Sequence, residues 1–367
     1  MQALLAIFYE VRDPRDMNAR HPCASLLFIA LIATLCGAKT CVDIADFAAA
    51  HVEELSEIVK LPHGAPSHDC FSRLFRLLDP EEMAHVLTRF AKALREGLGL
   101  PAAKGVVAID GKRMRRGYER GKAFMPPLMI SVWDAETRLS LAAKASGDGN
   151  EVRATLEALK SLDLKGCIVT ADALHCHPAM AEAVLAAGAH YALKLKGNNG
   201  PLYACAAEAF EKADRAGKGA SYESSEKGHD RFERRRVTMI PAPKDAPRLP
   251  GLAMLACIES ERKKTGGKSE TAVYYVALSK RMPARRVLDI VRTHWSVENN
   301  LHWALDVVFH EDDARSRKNH ASQNLSFIRR MALDMLSTHP DKRSPARKMK
   351  LAAWSKEFLF ELFTYMQ

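Results

Sequence analysis

Two short apolar runs in this chain each end in an aspartate. The first is VVAID, residues 106–110, and the second is CIVTAD, residues 167–172. Uninterrupted apolar runs of this length are typical of strands that are buried on both faces, as in a parallel sheet. In open sheets of this kind, ligand sites form at the carboxyl ends of the strands. The two runs therefore predict an α/β core with Asp110 and Asp172 at one edge of a sheet.

The segments around these runs complete a mixed sheet. Residues 126–134 and 138–145 predict a hairpin of two strands, and residues 190–198 predict a further strand. Residues 151–162 have amphipathic helical spacing. Residues 178–188 begin with Pro and end with Gly, which suits a helix. Strands that alternate with helices indicate a mixed α/β sheet flanked by helices.

The first hundred residues predict an all-α domain, which ends in a Gly- and Pro-containing linker at residues 97–101. Residues 22–38 form an uncharged run of 17, at the lower limit for a transmembrane helix. We expect a buried core helix there, because charges flank the run closely and mixed charge before it argues against a signal peptide. No other candidate span occurs, so we expect a cytoplasmic protein. Whether this domain packs and assembles the protein or reads DNA through a helix-turn-helix stays open.

The second half of the chain changes character twice. Residues 203–275 contain charged, turn-rich stretches with alternating apolar residues, which predict a β-rich insertion. A continuous helix is predicted over 284–309, with Trp295 and Trp303 anchoring it on the sheet. The division that follows has four parts: an all-α domain (1–100), an α/β domain (101–202 with 276–335), a β-rich insertion (203–275) and a basic C-terminal segment (336–367).

Charge is distributed unevenly along the chain. There are 54 Lys and Arg against 44 Asp and Glu, which gives a net charge of +10. The first 100 residues carry ten basic and thirteen acidic side chains, whereas residues 314–367 carry eleven and four. A basic surplus favours a polyanionic partner, most simply nucleic acid. We therefore expect binding to non-specific DNA to weaken steeply with salt, and deletion of residues 340–367 to reduce it.

The two aspartates predict a metal site. Held on neighbouring strands they would repel each other, and a hard cation such as Mg²⁺ between them would relieve this because it takes oxygen ligands. The alternative is that each aspartate caps the turn or helix after its strand. Glu298, on the predicted 284–309 helix, could complete a three-carboxylate, two-metal site of the kind that performs in-line phosphoryl transfer. Rival third ligands, or members of a solvated acidic face, are Asp306, Glu311, Asp312 and Asp313.

Several stretches of the chain together match a known family. They are AIDGKRMRRG (108–117), NEVRATLEALKSLDLKGCIVTADAL (150–174), HYALKLKGNNGPL (190–202) and IVRTHWSVENNLHWALDVVFHEDDARSRK (290–318). As an ordered set they closely resemble the H-repeat-associated type of bacterial insertion-sequence transposase, and residues 20–50 resemble that family's transposase-associated segment. The resemblance implies an RNase H-like fold with a DDE catalytic triad of Asp110, Asp172 and Glu298, separated by 62 and 126 residues. It also implies two Mg²⁺ ions, with Mn²⁺ as a substitute, held by the same three carboxylates.

Polar side chains near these carboxylates are candidates for contacts with DNA. Lys112 follows Asp110, where phosphates would approach, and Lys194 and Lys196 alternate along the strand at 190–198, so both point to one face. Such lysines could equally be ordinary surface residues. His294 could act as a polar or a cationic contact. The candidates are Lys112, Arg115, Lys194, Lys196, Arg292, His294 and His302.

The sequence thus predicts a DNA transposase. It would bind the ends of its own element, cut DNA by metal-assisted hydrolysis and join the freed 3′-hydroxyl to target DNA. Its partners would be double-stranded DNA at the bacterial nucleoid and a second copy of the chain, because paired ends need paired active sites. No membrane and no nucleotide cofactor is expected. Two alternatives stay open: a decayed or domesticated transposase that only binds DNA, and a metal-dependent nuclease that cuts without joining.

Overall fold

A computed structural model describes residues 2–118, 125–227, 231–264 and 269–366 of the 367-residue chain. The chain divides into two compact units. Unit 1 comprises Met1–Ala102, Gly111–Ala158 and Val297–Gln367, and unit 2 comprises Ala103–Asp110 and Leu159–Ser296. The four-part division derived from the sequence stays a prediction.

Unit 1 is mostly helical. Its elements are α1 (Gln2–Tyr9), α2 (Cys23–Leu35), α3 (Cys41–Ala50), α4 (Val52–Ile58), α5 (His68–Leu77), α6 (Pro80–Gly97), β2 (Leu128–Asp134), β3 (Leu139–Ser146), α7 (Glu151–Leu159, whose last residue belongs to unit 2), α11 (Trp303–Val307), α12 (Ala321–Thr338), α13 (Pro345–Trp354) and α14 (Lys356–Glu361). The predicted hairpin is confirmed, because β2 and β3 pair antiparallel. Helices α6 and α12 both pack on β3.

The core of unit 1 forms around two helices. Every residue of α2 is buried, which confirms the core helix predicted for the uncharged run. Helix α12 contacts α2, α5, α6 and α13. Its Asn324 is buried and donates hydrogen bonds of 2.9 Å to the carbonyls of Phe75 and Leu78 at the end of α5. Within the described ranges, no helix is long and apolar enough to cross a membrane.

Unit 2 is built on one mixed sheet. Its elements are β1 (Val106–Arg113, whose last three residues belong to unit 1), β4 (Ile168–Ala171), α8 (Pro178–Ala186), β5 (His190–Leu195), α9 (Gly200–Arg215), β6 (Ala220–Lys227), β7 (Arg231–Pro241), β8 (Met254–Lys264), β9 (Ser269–Leu278) and α10 (Ala284–His294). The strand order is β1-β4-β5-β9-β8-β7-β6. The pairs β1–β4 and β4–β5 are parallel, and the pairs from β5–β9 onwards are antiparallel.

The fold class predicted from the sequence is confirmed: a mixed α/β protein with helices flanking its strands, a β-rich segment and an all-α N-terminal region. Two details differ. The β-rich segment begins with a helix, α9, which has Pro at its second position. Its four strands then extend the same sheet, because β9 pairs with β5 on one side and with β8 on the other.

The predicted helix over 284–309 is wrong as a continuous element. Helix α10 ends at His294, residues 297–302 form a π-helical turn, and α11 begins at Trp303. The predicted packing of both tryptophans is also wrong, since Trp295 is 47% and Trp303 is 56% exposed. The apolar residues that do anchor the second part of this segment are Val297, Leu301, Ala304 and Leu305.

Candidate active site

Asp110 and Asp172 end two neighbouring parallel strands of unit 2. The register of β1 and β4 pairs Ile109 with Ala171, so the two aspartates are the next residues on each strand. Adjacent strands lie about 4.8 Å apart. The expected meeting of these carboxylates at one edge of the sheet is therefore what the strand register produces, and both residues are half-buried.

Asp172 lies in a basic environment. Its Oδ2 atom is 3.6 Å from Nζ of Lys196, the first residue after β5. Burial alone would raise the pKa of Asp172, but a hydrogen bond from the backbone of Ala173 and the charges of Lys196 and Lys194 together lower it. Asp172 is therefore an ionised carboxylate at neutral pH. Lys194 lies 4.7 Å from the centre of the Tyr274 ring.

His294 closes the same part of unit 2. Its Nδ1 and Thr170 Oγ1 share a hydrogen bond of 3.0 Å, which ties the end of α10 to β4. Burial lowers the pKa of His294 to about 4, although the charge of Asp172 acts in the opposite direction. The imidazole is thus neutral at pH 7, so of the two roles predicted for it only the polar one fits.

Glu298 belongs to unit 1 and is exposed. It is the second residue of the π-helical turn Val297–His302. Single π-helical turns are rare and occur frequently at functional sites. His302 ends this turn, and burial, with the nearby charges of Arg330 and Lys112, lowers its pKa to about 3. A cationic contact of His302 with DNA is therefore not favoured at neutral pH.

Lys112 is enclosed by acidic side chains within unit 1. Its side chain is 7% exposed, and Nζ lies 2.7 Å from Asp306 Oδ1, 2.8 Å from Asp312 Oδ1 and 3.7 Å from Glu311 Oε2. Burial would lower the pKa of Lys112, but these three carboxylates raise it. The ammonium can reach a phosphate only if it gives up these contacts, so the geometry does not favour the predicted contact of Lys112 with DNA.

Glu311 is the buried centre of this cluster. It is fully enclosed, and Ser326 Oγ donates to its Oε1 over 2.5 Å. Arg330 Nη1 lies 3.6 Å and Arg329 Nη1 lies 3.9 Å from the same oxygen. Burial would raise the pKa of Glu311, and the three cations lower it. Of the four rival acidic ligands, three thus surround Lys112, and Asp313 lies 3.4 Å from Arg116 at the surface.

The remaining predicted DNA contacts are exposed but engaged with acidic groups. Arg115 Nε lies 3.2 Å from Asp312 Oδ2. Arg292 Nη2 donates to Glu226 Oε2 over 2.8 Å. Surface ion pairs of this kind contribute little and are readily exchanged for other partners, so both arginines stay predicted DNA contacts.

Sequence reasoning missed one carboxylate close to the end of β1. A Cβ atom added to Gly111 would lie 2.8 Å from the carboxyl carbon of Glu151, so this carboxylate packs directly on the residue after Asp110. Glu151 is the first residue of α7. The signal was Gly111 itself, because glycine permits close approach of another group to the backbone.

The aspartate pair suits a hard divalent cation by its chemistry. Mg²⁺ is usually bound by one or two carboxylates together with water and substrate phosphates, not by a dedicated protein cage. Across the described ranges, no group of three or more His, Cys, Asp or Glu side chains is arranged to hold a metal ion. The two ligands of unit 2 therefore fit the first of these arrangements.

Comparison with known proteins gives consistent results. The family model described as "Transposase DDE domain" matches residues 101–335, and the one described as "DDE_Tnp_1-associated" matches residues 5–91. Among curated proteins, the "H repeat-associated putative transposase YhhI" and the "Putative protein YbfL" of Escherichia coli K12 are each 30% identical over 93% of this chain and 92% of their own length. The "Putative transposase YncI" of Escherichia coli O157:H7 is 30% identical over 99% of this chain and 94% of its own.

Proposed function

Since the chain belongs to the DDE transposase family, we propose that it binds the ends of its own DNA element, cuts them and joins the freed 3′-hydroxyl to target DNA. The observation that carries this proposal is the pair of carboxylates at the ends of β1 and β4, with Lys196 beside Asp172. Phosphoryl transfer needs little covalent participation from the protein, so acidic ligands and cations that position the phosphate are the parts to expect.

In this proposal Asp110 and Asp172 hold a divalent cation, Mg²⁺ or Mn²⁺ in its place. Bound metal ions would activate the attacking water or 3′-hydroxyl and stabilise the leaving oxygen. Asp172 is kept ionised by Ala173, Lys196 and Lys194, so it is ready to act as a ligand at neutral pH. When a cation binds Asp172, Lys196 is released from its ion pair and can bind the phosphate that approaches.

Glu298 is proposed as the third carboxylate and as a ligand of a second metal ion. This part of the proposal is supported by the order of the motifs in the sequence and by the family, whose models and relatives span the segment. Its place in a π-helical turn and its exposure leave its carboxylate accessible. We also propose that the chain acts as a homodimer or larger synaptic complex on double-stranded DNA at the bacterial nucleoid.

The test is a strand-transfer assay with the full-length protein. A linear DNA that carries the inverted repeats flanking the gene is incubated with Mg²⁺ and a supercoiled target plasmid. We expect cleavage at the repeat ends and joined products. Asp110→Asn and Asp172→Asn should lose both products, because an amide is neutral and a poor ligand for a hard cation.

Asp163→Asn is the matched control in the same unit. Asp163 is exposed, and its Oδ1 accepts a hydrogen bond from the backbone of Lys165 only two residues away, so this variant should keep activity. Cleavage without joining would support the nuclease alternative, and binding without cleavage would support the decayed transposase. Full cleavage by Asp110→Asn would refute the proposed site.

A further inference from the structure

An exposed indole lies next to Glu298 on the surface of unit 1. Trp303 is 56% exposed, and Val307, one helical turn later, is 51% exposed. We propose that Trp303 is a stacking platform for one unpaired base of the DNA substrate, held beside the Glu298 carboxylate. This inference rests on the proposed function and adds to it a subsite for a nucleobase.

The π-helical turn places Trp303 on the side of Glu298. In an α-helix, residues five apart are turned by about 140° from each other, so the two side chains would face different directions. In a π-helical turn the hydrogen bonds run from residue i to residue i+5. The turn at 297–302 therefore brings Trp303 round by nearly one full turn from Glu298.

The burial pattern agrees with this geometry. Glu298, Asn299, Trp303 and Val307 are exposed. The residues that face the interior of unit 1 are Val297, Leu301, Ala304, Leu305 and Val308. The segment thus has a well-filled buried side and, opposite it, an exposed side that carries one carboxylate, one amide and one large aromatic ring.

An exposed tryptophan at this place is unfavourable unless it has a partner. Tryptophan buries a large apolar area when it packs, and its ring is stabilised by stacking. A nucleobase is the occupant that fits best, because every base offers a flat face of similar size and the family acts on DNA. The basic surplus of residues 314–367 in the same unit would attract the phosphates on either side.

The interaction needs an unpaired base, because a base inside a duplex has both faces covered by its neighbours. A strand end at a cleavage site supplies one at low cost if the terminal pair opens. We therefore expect Trp303 to act on DNA ends and single strands and to have little effect on intact duplex.

The test compares DNA binding by three variants without metal, so that no cleavage occurs. The DNA is a duplex of the element end with two unpaired 3′ nucleotides, and a second version carries abasic sites at these two positions. Trp303→Ala should weaken binding of the first DNA about 5- to 150-fold, the range expected for loss of one base–aromatic stack. Trp303→Phe should keep most of the affinity.

Trp354→Ala is the matched control, because Trp354 is 77% exposed on α13 of the same unit and lies far along the chain from Glu298. It should bind like the wild type. The abasic DNA should bind the wild type more weakly and Trp303→Ala no more weakly still. Equal affinities of Trp303→Ala and wild type for the unpaired DNA would refute the stacking platform, even if strand transfer by the wild type upholds the proposed function. Absence of any DNA binding by the wild type would overturn both.

Discussion

Lys112→Met tests whether the acidic cluster around Lys112 is a structural unit. Methionine keeps the length of the apolar stem but removes the ammonium, so Asp306, Asp312 and Glu311 would face one another without the shared cation. Removal of one partner from a buried ion pair costs about 3–5 kcal/mol. Glu311 keeps Arg330 and Ser326, so we expect a loss of about 3 kcal/mol in the free energy of unfolding.

The assay is urea unfolding followed by far-ultraviolet circular dichroism at pH 7.5. Arg116→Met is the control, because the Arg116–Asp313 pair of the same unit is exposed and should contribute about 0–1 kcal/mol. Adding Asp312→Asn to Lys112→Met should restore part of the stability, since one of the repelling charges is then gone. Side chains in direct contact couple by about 0.5–3 kcal/mol in such cycles.

The pH dependence follows from the raised pKa of Lys112. A basic group whose folded pKa is raised contributes its full stability below its unfolded pKa, about 10.4, and loses it as pH rises through the folded value. The difference between Lys112→Met and wild type should therefore stay constant from about pH 6 to 9. A loss no larger than that of Arg116→Met would refute the buried cluster and return these acids to a solvated face.

Three further changes probe unit 1. Gly97→Ala places a Cβ against the carbonyl oxygen of Tyr365, far closer than two such atoms can approach, so it should displace the C-terminal turn and lower the urea midpoint, whereas Gly147→Ala, with open space around it, should not. Burial raises the pKa of Asp334 well above its usual value; the wild-type free energy of unfolding then falls between about pH 4 and the folded pKa, and the stability of Asp334→Asn relative to wild type should grow with pH, by up to about 1.4 kcal/mol per unit. Neutralising exposed cations of the C-terminal segment should make the salt dependence of DNA binding shallower, by about one unit of slope for each phosphate that the protein then leaves unneutralised, as measured by anisotropy titrations. The substitutions are Lys342→Gln, Arg347→Gln and Lys350→Gln together.

The sequence sufficed where the signal is local. The apolar run of α2 predicts a buried helix because seventeen uncharged residues have no other place in a folded protein. The two strands that end in Asp110 and Asp172 are likewise visible as uninterrupted apolar runs. Their adjacency then follows from the rule that parallel strands present their carboxyl ends at one edge, and the β1–β4 register agrees.

The sequence failed where the backbone leaves the standard period. An α-helical reading of 284–309 places side chains at 100° steps, and the π-helical turn at 297–302 breaks that phase. Residues beyond the turn are therefore assigned to the wrong side, which is why the sequence predicts an inward-packed Trp303 where the structure has an exposed one. No residue type in this stretch marks the change of hydrogen bonding in advance.

Long-range ion pairs were equally beyond reach. Lys112 and Asp312 are 200 residues apart in sequence, and neither has a local pattern that indicates burial. A lysine just after a candidate catalytic aspartate suggests a phosphate contact on chemical grounds. Only the placement of residues 306–312 in unit 1 shows that three carboxylates already enclose its ammonium.

The same distinction changes the meaning of the basic C-terminal stretch. Of its cations, Arg329 and Arg330 are buried against Glu311, and Lys348 is buried with its Nζ donating to the carbonyls of Leu336 and His339. These three charges stabilise unit 1 and cannot attract DNA from where they are. Phe363 is also buried and contacts Phe28 of α2. Deletion of residues 340–367 would therefore remove core packing together with charge, and a fall in DNA binding would follow from partial unfolding alone. Substitution of the exposed cations separates the two causes, because it leaves every one of these buried groups in place.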